Sequence, residues 1–122
     1  VQALGDPERL VRLTAARALA LGDSLFAHQS LIDHAADPRP AVRRAVASQL
    51  ESLACSRAIE LEHTLEVTAR LARDPDPTVR REVARRVGIF AGARGRDLLH
   101  ELAADQDPEV AAAARRHLAA AR

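Results

Sequence analysis

Hydrophobic residues return at every fourth position in four stretches of the chain. Val11, Ala15 and Leu19 form the first set, and Val42, Val46 and Leu50 the second. Val79, Val83 and Val87 form the third, and Val110, Ala114 and Leu118 the fourth. This spacing draws one buried stripe along an α-helix. Each stripe opens the same way: Asp6, Asp37, Asp74 and Asp105 each stand five residues before the leading Val. An Arg follows that Val at Arg12, Arg43 and Arg80, and Ala111 takes its place in the last copy. The Val-to-Val periods are 31, 37 and 31 residues. Self-similarity on this scale indicates stacked helical units in which each repeat buries its apolar face on the next.

Polar punctuation sets the element boundaries. Apolar-periodic segments end at Ala3-Leu4-Gly5, Leu71-Ala72-Arg73 and Leu102-Ala103-Ala104, each just before the repeat Asp. Asp favours a turn by bonding its own backbone, and proline cannot donate within a continuing helix. Pro40, Pro77 and Pro108 then fall in the first helical turn, where a missing N–H costs little. Each repeat therefore reads as a helix A, a tight turn and a helix B. The A helices are predicted near 24–36, 59–73 and 95–104, and the B helices near 8–21, 40–54, 77–90 and 108–121. That makes about seven helices, in a partial repeat at 1–21 and repeats at 24–54, 59–90 and 95–121 of a single unit spanning 1–122. Residues 1–4 read as the last turn of an A helix, which suggests a piece of a longer array. The longer middle period places extra residues around Ala54–Glu60, as a longer loop or an added helical turn. Gly88, Gly92 and Gly95 suggest a loose connection before the last A helix.

An Asp followed by Val five on and Arg six on, at the head of the second helix of a pair, resembles the HEAT repeat across essentially the whole chain. The short period is similar to the compact bacterial form, also seen in phycobilin lyases. The resemblance implies an all-α, right-handed α-solenoid of antiparallel helix pairs with the B helices on the concave side. It also implies a ladder of Asp–Arg ion pairs between neighbouring repeats, with rungs at Asp6, Arg12, Asp37, Arg43, Asp74, Arg80 and Asp105. A forked Arg one turn into a helix suits that task. Ala111 would end the ladder at a capping repeat.

Composition narrows the function. Aromatic residues make up 2% of the chain, and Phe26 and Phe90 are the whole set, which disfavours a large ligand cavity. All 18 basic residues are Arg, a bias that with the abundant Ala fits a GC-rich bacterial genome. The net charge of +1 gives no global pull toward nucleic acid or a membrane. Cys55 is single, so it reads as an inert thiol outside any disulfide framework. No apolar run approaches a membrane span, no signal peptide is visible, and a cytoplasmic location is the default expectation.

The candidate surface lies on the B helices. Two positions after the repeat Val stand Leu13, Arg44, Arg81 and Ala112; six positions after stand Arg17, Ser48, Arg85 and Arg116. Both positions share a helix face, so stacking would align Arg17, Arg44, Arg81, Arg85 and Arg116 in a ridge with Arg86 at its edge. The A helices carry acid at Asp33, Glu60, Glu62, Glu66 and Glu101. The bland reading is a solubilising face with local pairs such as Glu82 with Arg86. The functional reading is a groove for another protein, through an acidic or extended segment, with no enzymatic role and no cofactor. Nucleic acid or another polyanion gripped by the ridge is the alternative. A further alternative is an accessory enzyme or chaperone resembling phycobilin lyases, which would need a chromophore pocket. HEAT-like DNA glycosylases need stacking aromatics and a catalytic carboxylate, for which two Phe are a poor supply. The histidines do not converge: His28 and His34 lie six apart on different faces of one helix, and His63, His100 and His117 lie on separate helices. The His-Glu pairs of the HEAT-like deoxyhypusine hydroxylase are represented only by His100-Glu101, so no metal site is expected.

Overall fold

The computed structural model describes residues 9, 24–56, 61–90 and 92–120. Among these the regular structure is entirely helical. The helices are α1 (Ser24–Ala35), α2 (Pro40–Ser56), α3 (Leu61–Leu71), α4 (Pro77–Phe90), α5 (Gly92–Ala103) and α6 (Pro108–Ala120). The expected helix at 8–21 lies outside the described residues apart from Arg9, and so do residues 1–4.

The turns between paired helices share one design. Each A helix closes with bonds to the third residue back, as in Asp74 N–H to the Leu71 carbonyl (3.2 Å) and Asp105 N–H to that of Leu102 (3.0 Å). The Asp side chain then accepts the amide two residues on. Asp37 Oδ1 takes Arg39 N–H at 2.8 Å, Asp74 Oδ1 takes Asp76 N–H at 2.9 Å, and Asp105 Oδ1 takes Asp107 N–H at 2.9 Å. These Asx turns reverse the chain without leaving that amide unpaired. A proline opens each B helix, where no N–H is required. Asp76 and Asp107 stand just before it as N-caps. Asp76 Oδ1 accepts Thr78 N–H at 2.8 Å, and Asp107 Oδ1 accepts Glu109 N–H at 2.9 Å and Val110 N–H at 3.1 Å.

Helices α2, α4 and α6 lie side by side, and α1, α3 and α5 form a second layer against them. The four-residue stripes meet at the centre. Val42, Val46, Val79, Val83, Val87, Val110 and Ala114 are fully buried, Leu50 is nearly so, and Leu118 is partly buried. Leu65, Val67, Leu71, Leu98, Leu99 and Leu102 supply the other layer. Buried alanines at 45, 47, 84, 113 and 114 let the helices approach closely. Thr64 and Thr68 are the buried hydroxyls on α3, and Thr68 Oγ1 donates to the Thr64 carbonyl at 2.7 Å.

The connection between α4 and α5 is shorter than the glycines suggest. Gly88 lies inside α4 and Gly95 inside α5, which begins at Gly92 rather than near 95. Gly92, the first residue of α5, has φ of 54°, a left-handed conformation that costs little strain in glycine alone, and one residue separates it from the end of α4 at Phe90. Gly95 is buried, so it serves close packing rather than looseness. In the longer middle period α2 continues to Ser56, two residues past its expected end, and residues 57–60 lie outside the described set.

Candidate functional site

The arginine after the repeat Val points across the repeat boundary. Arg43 Nε donates to Asp74 Oδ2 at 2.7 Å and Nη2 to Oδ1 at 3.2 Å. Arg80 meets Asp105 in the same way, Nε to Oδ2 at 2.8 Å and Nη2 to Oδ1 at 3.0 Å. The remaining nitrogen reaches back into its own repeat: Arg43 Nη1 donates to the Asp37 carbonyl and Arg80 Nη1 to the Asp74 carbonyl, both at 2.8 Å. Each guanidinium thus ties its own turn to the next, and each Asp shapes its turn while receiving the previous Arg. The fork geometry is why Arg and not a point-charge cation fits. The bond from Arg80 holds the Asp105 carboxyl below its usual range, against the opposing effect of burial. Arg43 and Arg80 are pushed up by the same bonds. Asp6 and Arg12 lie outside the described residues. Asp37 meets the local Arg39, whose Nε is 3.1 Å from Oδ1, and that bond lowers the Asp37 carboxyl.

The ridge arginines meet different fates. Arg17 lies outside the described residues. Arg44 is exposed and lies close enough to Asp76 to help hold that carboxyl down, behind the larger effect of the Thr78 hydrogen bonds. Arg81 is engaged by the next repeat: Nη1 lies 3.1 Å from Glu109 Oε2 and Nη2 4.0 Å from Asp107 Oδ1. Its side chain is 25% exposed, and its buried Nε has no hydrogen-bond partner. Asp107, which caps α6, and Glu109 in its first turn hold Arg81 together, a second tie across the boundary that runs beside the Asp105 rung. The corresponding places in the preceding repeat hold Thr78 and Asp76, so Arg44 meets one acid where Arg81 meets two. Glu82 divides its charge, with Oε1 at 3.3 Å from Arg85 and Oε2 at 3.1 Å from Arg86.

Arg85 and Arg116 come together. They line one cleft between α4 and α6 with Ala113, His117 and Ala120. Arg116 is exposed, and its Nε makes only a long 3.4 Å bond to the Ala112 carbonyl of its own helix. His117 Nε2 bonds the Arg85 carbonyl across the repeat boundary. A carbonyl only accepts, so Nε2 is the donor in this bond.

Acid on the A helices is partly matched. Glu62 pairs with Arg94 at 2.7 Å and Glu101 with Arg73 at 3.1 Å, all four well exposed. No group of three or more metal-ligating side chains occurs among the described residues. No helix among them is long and apolar enough to cross a membrane. The side chains of Phe26, His28, Cys55 and Phe90 lie outside what is described.

A family model described as HEAT repeats matches residues 29–119. Neither the curated proteins nor the solved structures provide a match.

Proposed function

The chain belongs to the HEAT-repeat family, and on that premise we propose that it is a non-enzymatic scaffold holding another protein along the face of α2, α4 and α6. In this reading the helix pairs of 24–54, 59–90 and 95–121 continue from a partial repeat at 1–21 as a right-handed solenoid, with the B layer concave. The observation that carries the reading is the difference between the layers. Successive B helices touch far more extensively than successive A helices, which supports placing them on the inner side of a curved stack. The apolar stripes of the B helices are spent on the core, while Arg44, Arg85 and Arg116 stay exposed. A rigid series of helices with outward polar groups suits an extended or acidic protein segment. A nucleic-acid ridge draws less support, because Glu109 and Asp107 occupy Arg81 in the middle of the row.

The test is affinity co-purification of tagged protein from its own cell extract, with nuclease present. Three forms are compared: wild type, Arg44→Glu with Arg116→Glu on the B helices, and Arg70→Glu with Arg96→Glu on α3 and α5. The reading requires one stoichiometric protein lost from the B-helix variant and kept by the other. Loss from the α3 and α5 variant alone transfers the binding face, and recovery only of nuclease-sensitive material replaces the scaffold with a polyanion binder.

A further inference from the structure

We propose that the cleft between α4 and α6 is a carboxylate subsite, in which Arg85 and Arg116 grip an Asp or Glu side chain of an extended partner segment. The inference rests on the scaffold reading and says where on that face charge is recognised. The cleft has a volume of about 380 Å³, and none of its described lining residues is acidic. Charge around it is out of balance. Glu82 is shared between Arg85 and Arg86, and among the described residues no carboxylate pairs with Arg116. The Arg85 side chain is 55% exposed and spends a single long bond on Glu82, so its other donors remain for a ligand. Two forked guanidiniums facing one space can hold both oxygens of a carboxylate. Ala113 and Ala120 give an apolar floor for the methylenes of Glu. His117, bonded to the Arg85 carbonyl, ties α6 to α4 and keeps the two Arg at a fixed separation. It is a positioning residue.

A phosphate backbone is a poorer match. A nucleic acid presents charge at every nucleotide and needs a continuous cationic track. Here the track stops at Arg81, which its own acids already hold. A single discrete pair of guanidiniums with donors to spare selects a single acid within a mostly neutral segment.

The experiment is an NMR titration of the full chain, following backbone amides and arginine Nε–H signals. One probe is a blocked Ala/Ser heptapeptide with a central Glu, and its control carries Gln. The Glu peptide is expected to move the Arg85 and Arg116 Nε–H signals and to bind about tenfold more tightly than the Gln peptide. Arg116→Gln, an exposed change checked by circular dichroism, is expected to remove that preference. His117→Ala is expected to weaken binding, and His117→Gln, which keeps a donor for the carbonyl, to restore it. Equal response to both peptides, or an unchanged Arg116→Gln variant, overturns the subsite. Shifts at Arg44 without shifts at Arg116 overturn it while leaving the B-face scaffold standing. Shifts confined to α3 and α5 overturn both. A short single-stranded oligonucleotide that outcompetes the Glu peptide in the same cleft overturns the assignment to a protein carboxylate.

Discussion

Arg80→Ala isolates what the Asp–Arg ladder contributes. The substitution removes two bonds to Asp105, at 2.8 and 3.0 Å, and one to the Asp74 carbonyl at 2.8 Å. The side chains are 17% and 12% exposed, so water replaces those donors only in part. A net hydrogen bond to a charged group contributes about 1.5–3 kcal/mol, and stranding a fully buried charge costs about 3–5 kcal/mol. Partial exposure discounts the upper figure, and loss of roughly 2–4 kcal/mol is expected. For a chain of this size that corresponds to a fall in Tm of about 10 °C. The chain has no Trp and no Tyr, so unfolding in urea is followed by circular dichroism rather than fluorescence. Arg44→Ala, on an exposed side chain, serves as the control and should change stability by about 0.5 kcal/mol or less. Asp105→Ala with Arg80→Ala completes a cycle, whose coupling is expected at about 1–3 kcal/mol. If Arg80→Ala matches the Arg44→Ala control, or the cycle shows no coupling, the rung is a geometric coincidence and not a stabilising contact.

Acid should weaken the fold in a defined window. The Asp105, Asp37 and Asp76 carboxyls are held low in the folded state by Arg80, Arg39 and Thr78 respectively. The unfolded chain therefore binds more protons below about pH 4; the contribution is complete above that and is lost as pH falls through the folded values. Urea midpoints measured from pH 7 to pH 2.5 should drop there, and Asp105→Asn should flatten the drop. Asp107→Ala removes a cap that accepts two amides and loosens Arg81; a loss of about 1–2 kcal/mol in urea unfolding is expected, against no loss if the cap is idle. Leu102→Ala empties a site 1% exposed and should cost about 2–5 kcal/mol, whereas Glu101→Ala, beside it and paired at the surface with Arg73, should cost under about 1 kcal/mol by the same assay.

The parts of this structure legible from sequence are those in which one residue type repeats one task. Val42, Val79 and Val110 stand at equal distances from a turn Asp, and a fully buried Val at that place is common to all three. Pro40, Pro77 and Pro108 open their helices for a reason visible in the chain alone. The pairing of Arg81 was not legible in that way. Seen along its own helix it occupies an outward position, and its partners Asp107 and Glu109 lie on the next repeat. A signal did exist: acids one and three residues before Val110, where Val79 is preceded by Thr78 and Asp76. The glycines misled for another physical reason. Gly92 makes a turn short by taking a left-handed φ, and Gly95 is spent on burial, so neither marks slack chain.

The two described rungs differ in chain separation but not in geometry. Arg43 reaches Asp74 over 31 residues, and Arg80 reaches Asp105 over 25, yet the Nε–carboxylate distances are 2.7 and 2.8 Å. The six-residue difference is the difference between the 37- and 31-residue periods. Part of the added chain lengthens α2, 17 residues against 14 in α4, and the rest falls in the connection before α3, away from the Asp-bearing turn. The rung therefore reads position in the stack and not distance along the chain. Selection can lengthen or shorten that connection without shifting the register of α2 against α4. The same separation applies to the proposed binding face. Arg43 and Arg80 hold the stack, while among the described residues no side-chain ion pair of Arg44, Arg85 or Arg116 crosses it. Changing partner preference at those exposed positions should therefore leave the melting point nearly fixed, since the two sets of arginines draw on different contacts.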